Sequence, residues 1–189
     1  MSEKQNFIDV RLIPLIEKDN PDRAVLADLR RGLGEFPKIH PFMYRHIQFY
    51  LPSYAQHGWH QKAHYLTAAL FALHPYAMSD QEKDEKDQPK PWKNLGHHFS
   101  QIVRKEAQEN RNVETIERRF TYLLAAHPND LHFHLRQAIS FLSSKDSEFK
   151  INWYRLLSDI QDWNDLDRRA KVQENWAKQF WRNQPTDNS

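Results

Sequence analysis

The 189 residues contain no cysteine, which excludes disulfides, thiolate metal sites and cysteine nucleophiles at once. Glycine is nearly as scarce, at four residues. With no runs alternating β-branched and polar side chains, that scarcity argues against a sheet. Gly32-Leu33-Gly34 lacks the later glycine and lysine of a phosphate-cradling loop, and no nucleophile elbow occurs. No stretch approaches the ~18 consecutive apolar residues of a membrane span. The opening MSEKQNFIDV has no apolar run after its charges, as a signal peptide would require. These absences predict a soluble cytoplasmic protein with no membrane partner. Charge of one sign is also missing: 27 Lys and Arg against 25 Asp and Glu leave a formal net charge of +2. A histone-like polycation is excluded, so any site for a polyanion must come from the placement of cations.

What is present is aromatic and helical. Aromatics make up 13% of the chain, with six Trp, so a few large side chains carry much of the burial. The pattern predicts a first helix from Phe7 to about Glu17, kinked by Pro14. A second is capped by Asn20-Pro21, buries Val25, Leu26, Leu29 and Leu33, and ends at Gly32 or Gly34. A short aromatic helix follows from Pro41 to Tyr50, stopped by Pro52. Trp59 to Leu73 then carries Ala63, Leu66, Leu70 and Leu73 as its apolar stripe, with Pro75 beyond it.

Residues 79–91, SDQEKDEKDQPKP, mix both charges with two prolines and no apolar anchor, which reads as a solvated linker. The predicted organisation is an N-terminal helical half (1–78), the linker (79–91), a C-terminal helical bundle (92–184) and a tail (185–189). In the back half, helices start at Asn94, at Asn112, at Pro128, near Asn152 and after Asp165. Phe99, Ile102, Val103, Ile116, Phe120, Leu123, Leu131, Leu135, Ile139, Leu142, Trp153, Leu156, Leu157 and Ile160 point inward. Short connections make the neighbours mostly antiparallel. No repeat near the ~34-residue period of a tetratricopeptide array is present. The predicted fold is all-α, a bundle of about nine helices in two packed halves.

Eleven histidines invite a metal or catalytic reading. His60 and His64 stand four apart on one helix, yet Gln61 occupies the place of the glutamate in an H-E-x-x-H zinc site, and no third ligand beyond His57 suggests itself. His97-His98 and His132/His134 fit helix surfaces equally well. Asp162, Asp165 and Asp167 cluster between two helices, where N-terminal capping by itself calls for acids. Nothing here requires an enzyme, a metal or a cofactor.

The cations carry more information. From Asp165 to Arg182, Val172, Trp176 and Phe180 fall on one helical face, with Ala177 at its edge. Arg168, Lys171, Asn175, Lys178 and Arg182 form a stripe roughly 80° wide beside it. Elsewhere arginines come in doublets or beside aromatics: Arg30-Arg31, Tyr44-Arg45, Arg118-Arg119 and Arg168-Arg169. Arg136 and Arg119 flank their helices' core faces and should emerge at the core border. Such an arginine can pair with an acid, Glu117 or Asp130 here, or clamp a phosphate with its planar fork. The residues alone leave those two readings open.

Several strings favour the second by resemblance. LRRGLG (29–34), GWHQKAHYLTAALFALHP (58–75), NLGHHF (94–99), ERRFTYLL (117–124), DLHFHLR (130–136) and the closing NWYRLLSDIQDWNDLDRRAKVQENWAKQFW occur in an order that resembles the CasB family, the small subunit of the type I-E CRISPR Cascade complex. The likeness covers about residues 20–182 and is most specific in the C-terminal string. It implies a non-catalytic, all-helical subunit of an RNA-guided antiviral complex, without cofactors. The implied partners are the guide-backbone subunits, the large subunit, a second copy of the chain, the target DNA with its displaced strand and, indirectly, the guide RNA. The implied role is to hold the opened DNA and to bridge subunits. The family's DNA-facing positions correspond to Arg30, Arg31, Arg118, Arg119, Arg136, Arg168 and Arg169. Arg45, Lys171 and Lys178 complete the candidate nucleic-acid-binding set. The alternative is a helical scaffold whose arginines serve protein contacts only.

Overall fold

The computed structural model describes residues 7–16, 22–34, 36, 38–76, 93–147 and 149–182. The predicted linker 79–91 and tail 185–189 lie outside the described residues. The chain divides into two compact units, Met1–Ala77 and Met78–Ser189. The all-α expectation is borne out: the described residues form eight α-helices preceded by a short helical segment, with no β-strand among them. Among the described residues, no helix is long and apolar enough to cross a membrane.

The first unit opens with a π-helical turn, Ile8–Leu12, that passes into a 3₁₀ turn, Ile13–Leu15. This replaces the kinked helix predicted for Phe7 to Glu17. Pro14 lacks an amide hydrogen, and the chain accommodates it in the first turn of the 3₁₀ segment. Helix α1 spans Arg23–Arg31 and is capped by Asp22, whose Oδ1 accepts from the Val25 amide at 3.0 Å. The cap expected at Asn20-Pro21 therefore falls to Asp22, because its short carboxylate reaches the third amide of the helix. Gly32 ends α1 with φ −58°, so no left-handed turn is involved. A Cβ there would lie 2.1 Å from Met43 Sδ, and the missing side chain lets α2 (Pro41–Ile47) approach. Helix α3 (Gly58–Leu73) is buried from Ala63 through Ala72, all round and not on one stripe. Leu73, the last residue of the expected stripe, is half-buried. His64 belongs to this interior: Nδ1 sits 2.7 Å from the His60 carbonyl and its ring meets Phe7 edge-on at 5.0 Å.

In the second unit, α4 (Leu95–Gln108), α5 (Glu114–Leu124), α6 (Leu131–Lys145), α7 (Trp153–Asp162) and α8 (Leu166–Trp181) close around an aromatic core. Three caps match the sequence reading: Asn94 accepts from the His97 amide, Asn152 from Arg155 and Asp165 from Arg168. At α5 the capping position is Val113, while Asn112 Oδ1 accepts from the Glu114 amide at 2.8 Å just before it. Helix α4 packs chiefly on α8. Gly96 makes that approach possible, since a Cβ on it would lie 2.1 Å from the Trp176 carbonyl oxygen.

Val172, Trp176 and Phe180 turn inward from α8 as predicted. Phe180 stacks on Phe120 at 4.2 Å, and Trp176 meets Trp163 at 5.3 Å. The indoles of Trp163 and Trp176 both find acceptors, as buried Trp requires. Trp163 Nε1 donates to the Ala126 carbonyl at 3.0 Å and Trp176 Nε1 to Asp159 Oδ2 at 2.8 Å. Asp159 is 2% exposed, with Arg155 Nε 3.0 Å from Oδ1, yet burial outweighs both partners and pushes its carboxyl up to about 6. At the far end of α4, Glu106 binds Lys145 at 2.8 Å and Arg111 at 3.2 Å. These donors hold its carboxyl below the usual range, Lys145 most of all.

Candidate nucleic-acid interface

The ten candidate cations fall into three groups. In the first unit, Arg31 and Arg45 converge on one carboxylate. Arg31 lies 3.0 Å from Asp28 Oδ1, Arg45 binds Oδ2, and His46 Nε2 stands 3.1 Å from Oδ2. The His46 hydrogen bond, followed by that of Arg45, holds the Asp28 carboxyl below its ordinary value. Both guanidiniums stay more than 60% exposed, so each keeps donors facing outward. Arg45 also lies 5.6 Å from the Phe42 ring centroid. Arg30, the other member of its doublet, folds back on α1 and donates from Nε to the Leu26 carbonyl at 3.3 Å.

The second group stands on α5 and α6, which pack together. Arg118, Arg119 and Arg136 are exposed: Arg119 and Arg136 flank their helices' core faces, whereas Arg118 points away from the Ile116–Phe120 face of α5. Glu117 and Asp130, the acids suggested as partners, form no ion pair with them among the described residues. Arg119 lies over Phe141 at 5.3 Å from the ring centroid. Arg118 and Arg136 project with no carboxylate attached among the described residues.

The third group is the α8 stripe. Arg168 stands 3.6 Å from Asp162, and Lys178 pairs with Glu174 one turn back at 2.6 Å. Both members of the latter pair are about two-thirds exposed, so solvent screens their attraction and the pair adds little to stability. Lys171 is exposed and Arg169 half-buried, neither with a carboxylate partner among the described residues.

Sequence reasoning passed over two side chains beside the α5–α6 arginines. Tyr122 and Phe133 are 59% and 51% exposed. The signal was available: each is a large aromatic off its helix's inward set, which is Ile116, Phe120 and Leu123 on α5 and Leu131, Leu135, Ile139 and Leu142 on α6. Among the described residues, no group of three or more His, Asp or Glu is placed to hold a metal.

These features define a class: an all-helical protein in two compact units that presents exposed arginines from several helices. The sequence matches the family of CRISPR-associated protein Cse2 over residues 25–181. A Cse2 protein of Thermus thermophilus is 30% identical over 184 residues, covering 96% of this chain and 91% of that protein. The crystal structure of a Cse2-family protein from the same organism superposes with a TM-score of 0.66 at 28% identity, covering 96% of this chain and 99% of the other. The M. ruber CasB structure gives 0.66 at 28% identity, covering 96% and 94%. A chain of a solved CRISPR RNA-guided surveillance complex shares the fold, with a TM-score of 0.61 at 23% identity over 93% of this chain and 88% of the other. The chain belongs to the CRISPR-associated Cse2 family, the CasB small subunits that its sequence resembles.

Proposed function

We propose that this chain is a non-enzymatic subunit of an RNA-guided CRISPR surveillance complex that holds the opened target DNA, including its displaced strand, by the phosphate backbone. Its partners in that role are the guide-backbone and large subunits and a second copy of itself, with guide RNA met only indirectly. The observation that carries the reading is the set Arg118, Arg136, Arg169 and Lys171. In a chain with a formal net charge of +2, these cations stand on a single folded unit without carboxylate partners among the described residues. Guide pairing supplies sequence specificity in such complexes, so a subunit need only hold backbones. Exchange of duplex for heteroduplex is nearly balanced, and modest contacts can tip it.

The test is single-stranded DNA binding by the full chain across a salt series. Each lost phosphate contact flattens the log K against log salt slope by about 0.7 on a single strand. Arg118→Ala and Arg136→Ala should each show that flattening while the fold is retained. If both bind like wild type at every salt concentration, the assignment of these arginines is wrong.

A second reading has its own support. Arg31 and Arg45 are tied to Asp28, as the arginines of a protein-contact scaffold would be. On that reading the first unit meets protein, and changes at Asp28 leave DNA binding untouched.

A further inference from the structure

Beside the α5–α6 arginines the surface opens into a cavity of about 120 Å³, lined by side chains of α4, α5 and α6. One water needs only about 10–15 Å³, so the space admits a ring and not merely solvent. Phe141 forms part of its wall, held in place by stacking on buried Phe99 at 5.7 Å and 24° between planes. Tyr122 and Phe133 stand at the opening with half or more of their surface exposed. Arg119, His134 and Gln137 supply the polar edge, and no carboxylate lines the cavity among the described residues. Aromatic walls with a cationic, amide-bearing rim and no anion suit a flat, polar-edged, electron-rich ring attached to a negatively charged chain.

We infer that this cavity receives one unstacked nucleobase of a DNA single strand, stacked against Tyr122 or Phe133. Arg118 and Arg136 hold the phosphates on either side. The inference rests on the DNA-holding reading above and deepens it. Its geometry follows from helical spacing. Arg118 precedes Tyr122 by four residues and Arg136 follows Phe133 by three, so each exposed aromatic has a cation one turn away on its own side of the helix. Base stacking on aromatics tolerates any sequence, because every base has a π-face. A displaced strand, unpaired along its length, offers such bases without the cost of flipping one from a duplex. The base edge meets donors and acceptors on Gln137 and His134, while Arg119 lies over Phe141 and extends the stacking surface.

The experiment uses the full chain with a short oligothymidylate carrying 2-aminopurine, a duplex of the same length, and a strand of equal length with abasic sites throughout. Wild type should quench the 2-aminopurine fluorescence and bind the base-bearing strand more tightly than the abasic one. Tyr122→Leu and Phe133→Leu keep an apolar side chain at exposed positions and remove the ring. Each should weaken binding to the base-bearing strand about tenfold, with the salt slope and abasic-strand affinity unchanged. If the leucine variants bind the base-bearing strand like wild type, or the abasic strand binds equally well, the pocket assignment is overturned. The DNA-holding reading then survives if Arg118→Ala and Arg136→Ala still flatten the salt slope. If no strand binds in a salt-dependent way, both fail. Loss of association with another protein in the leucine variants, with DNA binding intact, would assign the cavity to a partner's side chain and also overturn the inference.

Discussion

Substituting Gly96 by alanine tests whether the α4–α8 contact governs the second unit. The new Cβ would sit 2.1 Å from the Trp176 carbonyl oxygen and 2.9 Å from its carbonyl carbon. Both atoms are backbone, so no side-chain rotation relieves the overlap. Reaching ordinary contact requires the two helices to part by about 1.3 Å, and a gap of that size forfeits half or more of the dispersion well along the interface. Leu95, Phe99, Trp176 and Phe180, all buried, would be loosened together. Overpacking costs about 1–3 kcal/mol, and a rigid backbone collision belongs at the top of that range. The helix propensity of alanine returns at most about 1 kcal/mol. The net loss is about 2 kcal/mol, a fall of roughly 8 °C in Tm at about 4 °C per kcal/mol. Thermal and urea melts followed by circular dichroism measure it. Gly34→Ala is the control: among the described residues nothing lies within 4 Å of its added Cβ, so its melt should match wild type within about 0.5 kcal/mol. A Gly96→Ala protein that melts at or above wild type would refute the reasoning.

Three further outcomes are expected. Asp159 titrates at about 6 against an ordinary 3.8, so ionisation in the folded state costs stability. That cost is absent below the unfolded value, grows from pH 3.8 to about 6 and is complete above it, amounting to about 3 kcal/mol. Asp159→Asn keeps an acceptor for Trp176 Nε1, so its stability relative to wild type should rise by that amount across the window, and a flat difference in urea midpoints would count against it. Glu106 is held below its ordinary 4.5 by Lys145 and Arg111, so it stabilises at neutral pH and stops doing so as pH falls through its lowered value. Glu106→Gln should lower the urea midpoint at pH 7 and lose that effect in acid, whereas equal loss at both pH values would deny the ion cluster its role. Asp28→Asn releases Arg31 and Arg45, and on the DNA-holding reading the salt slope for a single strand steepens by up to about 1.4, while an unchanged slope favours protein contact for the first unit.

The features legible in the sequence were those whose causes are local. Asn94, Asn152 and Asp165 cap their helices because a short polar side chain reaches amides two or three residues on, which spacing alone reveals. The inward face of α8 was legible for the same reason, since 3.6-residue periodicity needs no knowledge of the partner. What stayed hidden depends on distant chain. Arg45 reaches Asp28 only through the approach of α1 and α2, which no spacing rule predicts, whereas Arg31 stands three residues from Asp28 on the same helix, a spacing that does bring the two together. The burial of α3 on all sides, by contrast, was legible, since no face from Ala63 to Leu73 carries a charged residue and a helix apolar all round is a buried one. Pro14 correctly signalled trouble for the first helix, but not the π-to-3₁₀ passage that resolves it. For the candidate site, exposure of Arg119 and Arg136 followed from their place at the core border. The cavity between Tyr122 and Phe133 did not, because three helices build it.

Trp176 holds α8 twice over. Its carbonyl lies against Gly96 of α4, and its indole donates to Asp159 of α7. The helix therefore cannot slide or rotate about its axis without breaking one of these contacts, which makes Trp176 an index mark for everything α8 displays. Deleting one residue between Lys171 and Trp176 would turn Arg168 and Lys171 by about 100° relative to Lys178 and Arg182. The stripe would be cut in two with its charge unchanged. Phasing along α8 is thus a property separate from charge: a chain can keep every cation and still aim them apart.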